Sequence, residues 1–330
     1  MERKNINVRR NILQGLVFFA LTILCLSCSL QADSKTVHFE PGRYEEYLLH
    51  DGFRRTYILH IPPQYDSRKK FPMVLLFHGG GGNSRQALDS YGLKEKANKE
   101  GFILVVPNGT GRLRNRFLTW NVGFGFGYAM KNNIDDIGFV RKLIEKLEEE
   151  LKIDSKKVFA TGISNGGILC HFLAANLSDK IAAIAPVVAT VGGKRSINEQ
   201  YILPPQPDNP VSVIAFNGFL DKHIPCSGGA QKRYINKPVF VKSVEEMHSF
   251  WIKANQCNTT PQIEVNEDKE YKKIVYAQGI NNSEVVQYLI FNQGHAWPGA
   301  KESRPGADAP SKNVNTTDLM WDFFKRHHHQ

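Results

Sequence analysis

The chain has 330 residues, 42% hydrophobic and 22% charged, which is enough apolar material for a sizeable core and excludes a disordered or fibrous protein. The formal charge is +10, and Arg3, Lys4, Arg9 and Arg10 against Glu2 supply three of those charges near the start. No Lys/Arg block and no nucleic-acid motif stands in the remainder, so a nucleic-acid partner is set aside.

Arg9 and Arg10 precede an apolar run over residues 16–26, too short to span a bilayer comfortably and suited to a secretory signal. Leu26-Ser27-Cys28 resembles the end of a bacterial lipoprotein signal, in which Cys28 would carry the lipid. Cys25, where such signals usually hold an aliphatic residue, keeps simple cleavage nearby or an uncleaved anchor as the alternatives. We assign residues 1–28 to the signal, 29–36 to a short linker, 37–326 to one domain and 327–330 to a tail. This predicts a secreted, periplasmic or cell-surface product, with any membrane association through Cys28 alone.

Residues 55–61 alternate like a half-buried strand and stop at Pro62-Pro63. Residues 71–77 and 102–107 are continuous apolar runs, as expected of strands buried on both faces. A helix follows with Val140, Leu143, Ile144, Leu147 and Leu151 on one face. Further strands are read at 158–161, 181–188, 211–216 and 285–291, with helices between them. Ser243-x-x-Glu246 forms a capping box, and residues 318–324 close the chain as a helix. Strands alternating with helices predict an α/β fold with a mostly parallel central sheet flanked by helices. Three stretches fit no regular element, 111–135, 192–210 and 222–238, and long loops in a compact domain usually build a site.

Gly162-Ile163-Ser164-Asn165-Gly166 lies between a strand and a helix, the context of a G-x-S-x-G nucleophile elbow. A serine at its ordinary pKa needs a histidine to take its proton and a carboxylate to orient that histidine. The strand at 211–216 runs into Asp221, and the strand at 285–291 runs into His295, which gives the order Ser, Asp, His. His223 and Asp208 are the rivals for base and acid. Acyl transfer also needs N–H donors for a developing oxyanion. The glycine-rich loop 78–82 points to Gly80 for one, and Asn165 after the nucleophile supplies the other, with His78 structural beneath the loop. A phosphate cradle is the competing reading, but the Lys-Ser/Thr ending of a P-loop is missing.

His78-Gly79-Gly80, Trp120-Asn121, Asp135-Asp136-Ile137-Gly138-Phe139, Gly162-Ile163-Ser164-Asn165-Gly166-Gly167, Gly294-His295-Ala296-Trp297-Pro298-Gly299 and Trp321-Asp322-Phe323-Phe324 carry a specific resemblance. Over residues 40–326 the chain resembles the poly(3-hydroxybutyrate) depolymerase-type esterases, which are similar to the feruloyl and acetylxylan esterases of carbohydrate esterase family 1. The resemblance implies an α/β-hydrolase fold and a secreted serine esterase that needs no metal and no organic cofactor. It carries the nucleophile to Ser164, the acid to Asp221, the base to His295 and the oxyanion donors to Gly80 and Asn165. The expected substrate is a feruloyl or acetyl ester on polysaccharide, with hydroxyalkanoate oligomers as the alternative. From another class, a catalytically silent surface binding protein on the same scaffold is the competing reading.

Trp297 and Trp120 are the candidate substrate contacts, because an aromatic face suits a sugar ring or a feruloyl group. Loop packing is the alternative for both, and Phe124-Gly125-Phe126 is placed at the same mouth. Of the cysteines beyond the signal, Cys170 is expected to be a buried thiol. An oxidising compartment would let Cys226 and Cys257 pair, and a bridge between them is the expectation carried forward.

Overall fold

The computed structural model describes residues 39–113, 116–231, 239–268, 270–301 and 307–329. The signal at 1–28, the linker at 29–36 and Cys28 lie outside the described residues. Residues Phe39–Gln330 cluster as one compact unit.

The continuous apolar runs become the middle of a ten-stranded sheet. In chain order the strands are β1 (Gly42–His50), β2 (Phe53–Ile61), β3 (Phe71–Phe77), β4 (Ile103–Pro107), β5 (Ile153–Ile163), β6 (Ala183–Val187), β7 (Gly193–Lys194), β8 (Ser212–Gly218), β9 (Gly229–Ala230), β10 (Phe240–Val241), β11 (Gln262–Val265), β12 (Tyr271–Tyr276) and β13 (Val285–Ile290). The large sheet runs β1-β2-β4-β3-β5-β6-β8-β13-β12-β11, and β7, β10 and β9 form a small separate ribbon. From β4 to β13 every neighbour pair is parallel. Antiparallel strands extend the sheet at both edges, β2 and β1 on one side and β12 and β11 on the other.

The helices are α1 (Ser84–Ser90), α2 (Leu93–Glu100), α3 (Tyr128–Lys131), α4 (Asp136–Glu150), α5 (Asn165–Asn176), α6 (Val244–Asn255) and α7 (Thr316–Phe324). Side chains alternate across the sheet, so each buried strand feeds two cores. Met73, Leu75 and Phe77 of β3 join Leu143 of α4, Leu169 of α5 and Trp251 of α6. Val74 and Leu76 face Leu88 of α1, Ala97 of α2 and Phe323 of α7 on the other side. Ser243 and Glu246 make the reciprocal capping box at the start of α6.

Two elements depart from the sequence reading. β5 begins at Ile153 rather than Val158, because its first turn of chain pairs with Phe71 before a register shift restores the ladder at Met73. Residues 327–329 of the expected tail are docked instead. His327 is buried with Nδ1 on the Phe323 carbonyl, and His329 N–H donates to Lys156 O at 2.9 Å.

Candidate active site

β3, β5, β8 and β13 are parallel neighbours or near neighbours, so their carboxyl ends open on one edge of the sheet. At the end of β5, Ser164 sits at φ 55°, ψ −120°, a region costly for any residue with a Cβ. Backbone contacts hold it there. A Cβ on Gly166 would lie 2.5 Å from the carbonyl oxygens of Phe77 and His78, and one on Gly162 would lie 2.7 Å from the Gly166 carbonyl carbon. Only glycine allows β3, the turn and α5 to approach this closely. Ser164 N–H donates to Val187 O on β6, and its carbonyl accepts from Ile168 at 2.8 Å to start α5.

His295 reaches this serine from the loop after β13. Its Nε2 lies 2.9 Å from Ser164 Oγ, and its Nδ1 lies 2.7 Å from Asp221 Oδ2. An ionised carboxylate only accepts, so Nδ1 carries the proton and the Nε2 lone pair faces the serine hydroxyl. Asp221 has no exposed side-chain surface, and its other oxygen accepts from the N–H groups of His223 and Ile224 at 2.7 and 2.9 Å. Three donors therefore fix one carboxylate. The rival His223 contributes this backbone N–H, while its ring stands beside that of His295 with centroids 4.9 Å apart. Asp208 lies elsewhere, its backbone N–H on the Ser178 hydroxyl.

Two supports were missed in the sequence. Asp308 Oδ2 accepts from His295 N–H at 2.6 Å, and the fully buried Gln293 takes Ser311 N–H on Oε1 while its amide faces the Gly294 and Ala296 carbonyls. Together they brace the backbone on which His295 stands. Asp308 is thirteen residues away along the chain, and nothing in its local sequence marks it.

Gly80 and Asn165 come together at the same edge, since a Cβ on Gly80 would lie 3.6 Å from Asn165 Cβ. Asn165 is the first residue of α5, so its N–H has no acceptor within the helix. The Asn165 amide clasps the Trp120 backbone, accepting from Trp120 N at 2.8 Å and donating to Trp120 O at 3.2 Å. Below the glycine loop His78 Nε2 accepts from Gly109 N–H at 3.0 Å, which leaves Nδ1 to donate to Gly79 O at 2.9 Å. The Asp135-Asp136 motif anchors the neighbouring loop. Asp136 is buried with Arg55 at 2.5 Å and takes Asn121 N–H on its second oxygen at 2.7 Å. Burial pushes its carboxyl above the usual range, opposed by the Arg55 charge and these bonds.

The structure does not open either tryptophan to substrate. Trp297 is 2% exposed and stacks on Tyr91 at 4.5 Å, because its side chain turns away from His295 into the core between α1 and α7. Trp120 is fully buried, edge-on to Phe77, with its indole N–H on His78 O at 2.9 Å. Both are loop anchors. Cys226 and Cys257 are free thiols rather than a bridge, with Cys226 Sγ on Gly218 O at 3.2 Å and Cys257 Sγ near Ser283 O at 3.7 Å. Burial, with the Asp221 charge added, pushes the Cys226 thiol up to about 12. Cys170 is buried in α5 as expected.

A pocket of about 350 Å³, open mouth included, meets Ser164 and Asn165 and is walled by Val122, Phe124, Phe126, Ile168 and Ile224. Phe126 leans on the glycine loop, its Cζ 3.0 Å from where a Gly80 Cβ would stand. Among the described residues no cluster of His, Cys, Asp and Glu could hold a metal, and no helix is long and apolar enough to cross a membrane.

No protein-family profile matches the chain. Curated relatives do. The chain is 25% identical over 277 residues to a protein of Aspergillus terreus named "Probable feruloyl esterase C", covering 82% of this chain and 83% of that one. It is 22% identical over 289 residues to Feruloyl esterase D of Neurospora crassa, with 84% and 83% covered. The chain is therefore similar to the feruloyl esterases at 22–28% identity. Of Feruloyl esterase B from Piromyces equi, 24% identical, the match spans only 37% of the length. Among solved structures, the acetyl xylan esterase of Aspergillus awamori superposes with a TM-score of 0.57 at 13% identity, covering 86% of this chain and 99% of that one. The fold is that of the α/β-hydrolases.

Proposed function

We propose that this relative of the feruloyl esterases is a serine carboxylesterase that removes feruloyl or acetyl groups from polysaccharide. The observation that carries the proposal is the unbroken line from Asp221 through His295 to Ser164, at 2.7 and 2.9 Å, at the mouth of an apolar pocket. The names of the relatives, feruloyl esterases and an acetyl xylan esterase, support the substrate class. The N-terminal signal at 1–28 supports a secreted or lipid-anchored location.

In this mechanism Ser164 Oγ attacks the ester carbonyl carbon as its proton passes to His295 Nε2. Asp221, which loses no hydrogen bond in the step, stabilises the imidazolium through Nδ1–H. The Gly80 and Asn165 N–H groups receive the new oxyanion, and each such donor is worth about 2.7–4 kcal/mol of barrier. When the tetrahedral adduct collapses, His295 returns the proton to the departing alkoxide, leaving alcohol and acyl-serine. Water, deprotonated by the same imidazole, then releases the acid and restores Ser164. The apolar walls at Phe126, Ile168 and Ile224 suit the acyl side, which leaves the sugar alcohol toward solvent.

Kinetics on methyl ferulate, acetylated xylan and hydroxybutyrate oligomers with purified protein test the reading. The account expects the first two to turn over faster than the third. Preference for the hydroxybutyrate oligomers would move the activity to polyester cleavage, and no turnover of any ester would leave the silent scaffold.

A further inference from the structure

A second cavity of about 890 Å³, open mouth included, lies over the antiparallel edge of the sheet and is lined by polar side chains, among them Glu45, Arg54, Thr56, Asn83, Arg85 and Asn108. Its floor is set by strand register. Glu45 of β1 stands directly across from Ile58 on β2, and Thr56 and Arg54 share the face of Ile58. Outside the lining, Tyr47 is 47% exposed beneath the Arg54 guanidinium, 4.0 Å from the ring centre. Asn108 joins this edge to the loops of the site, donating to Thr56 Oγ1 and accepting Ser84 N–H. Gly109, the next residue, is the one that donates to His78 under the glycine loop. Asn83 is three residues from Gly80, so the groove begins within about 11 Å of the expected oxyanion donor.

The lining has the chemistry of a hydroxyl-binding surface. Arg43 and Arg85 both meet Glu45 at Oε1, at 3.1 and 2.7 Å, which holds the carboxylate in one orientation. A carboxylate offers about four lone-pair sites, so this pairing leaves acceptor capacity for sugar hydroxyls. Guanidinium and amide groups beside it supply donors. Carboxylate and guanidinium charges alternate here, which favours an uncharged, hydroxyl-rich chain over an anion. Tyr57 and Ile58 supply the apolar part of the lining.

We propose that this groove binds a neutral glycan chain, the polysaccharide side of the ester whose acyl group enters the pocket at Ser164. The proposal rests on the esterase reading above and adds where the sugar chain lies. It assigns Glu45 and Arg85 as binding residues outside the catalytic machinery. Their ion pair is solvent-exposed, with 58% and 67% of the side chains accessible, so removing it leaves the fold unchanged.

The test uses the full chain with Glu45→Gln and Arg85→Ala together. Calorimetry with xylohexaose on the Ser164→Ala protein, with and without the groove changes, reads binding without turnover. Kinetics on a feruloylated arabinoxylan oligosaccharide and on methyl ferulate read it during turnover. The groove changes should weaken xylohexaose binding and lower kcat/KM on the oligosaccharide ester about tenfold, mainly through KM, while methyl ferulate stays within about twofold. Equal xylohexaose affinity in both proteins, or no xylohexaose binding in either, overturns the groove. Equal losses on both esters overturn it too, as damage to the site. If the native enzyme cleaves neither ester the esterase reading falls, and the xylohexaose isotherm alone still decides the groove.

Discussion

Replacing Trp297 by alanine separates packing from binding at a residue two positions from the histidine that faces Ser164. The ring is 2% exposed, stacked on Tyr91 at 15° between planes, with its N–H directed at Thr317 Oγ1 at 3.4 Å. Thr317 in turn donates to Tyr91 O, so one cluster ties the His295 loop to the ends of α1 and α7. Truncating a buried tryptophan removes about 3–5 kcal/mol, cavity included. For a domain of this size that is a fall in Tm of roughly 6–20 °C. Trp297→Phe keeps a ring against Tyr91 and should lose less. Thermal melts give the stability, and kcat/KM on a simple acetate ester and on methyl ferulate gives the function. Any loss of rate should be shared equally by the two esters, since the indole touches neither. An unchanged Tm with a selective loss on the ferulate would refute the packing argument and return Trp297 to the pocket.

Asp136→Ala leaves the Arg55 charge buried alone and should remove about 3–5 kcal/mol in urea melts, whereas Asp136→Asn, which still accepts Asn121 N–H, should lose less; an unchanged midpoint for the alanine contradicts the anchor. His171, fully buried in α5 and accepting from Trp251 Nε1, is held near a pKa of about 3 by burial against its ordinary value of 6.5. The unfolded chain therefore takes up this proton first. Stability is complete above about pH 6.5 and falls toward pH 3 by about 1.4 kcal/mol per unit, and His171→Gln should flatten that slope in urea midpoints taken from pH 7 to 4. His295→Ala should lower kcat by several orders of magnitude while His223→Ala keeps most activity, and the reverse in the same assay would transfer the base to His223.

The parallel centre of the sheet was legible because strands buried on both faces are largely apolar, as β3, β4 and β6 are along their length and β8 is from Val213 to Phe216. The edges were not. β1 alternates half-buried and exposed residues with charged side chains, and β11 is exposed along its whole length, so neither carries the apolar signal that marks a strand. Ser164, Asp221 and His295 could be placed together because each follows a strand of the same direction, and parallel strands deliver their carboxyl ends to one edge. Side-chain direction does not follow from such placement. Trp297 lies two residues from His295 in sequence yet its ring packs into the core with Tyr91, and Cys226 and Cys257 meet different backbone carbonyls. Asp308 and Gln293 act through contacts made only after the final loop closes, and local sequence holds no trace of them.

The central claim is that Ser164 is the attacking group. A fluorophosphonate ester transfers its phosphonyl group to an activated serine with loss of fluoride, and mass spectrometry of digested peptides locates the adduct. The account predicts one adduct per chain, on the peptide carrying Ser164, with esterase activity lost in proportion and no labelling of the Ser164→Ala protein. An adduct on another residue, or full turnover of methyl ferulate by Ser164→Ala protein free of other esterases, would contradict it.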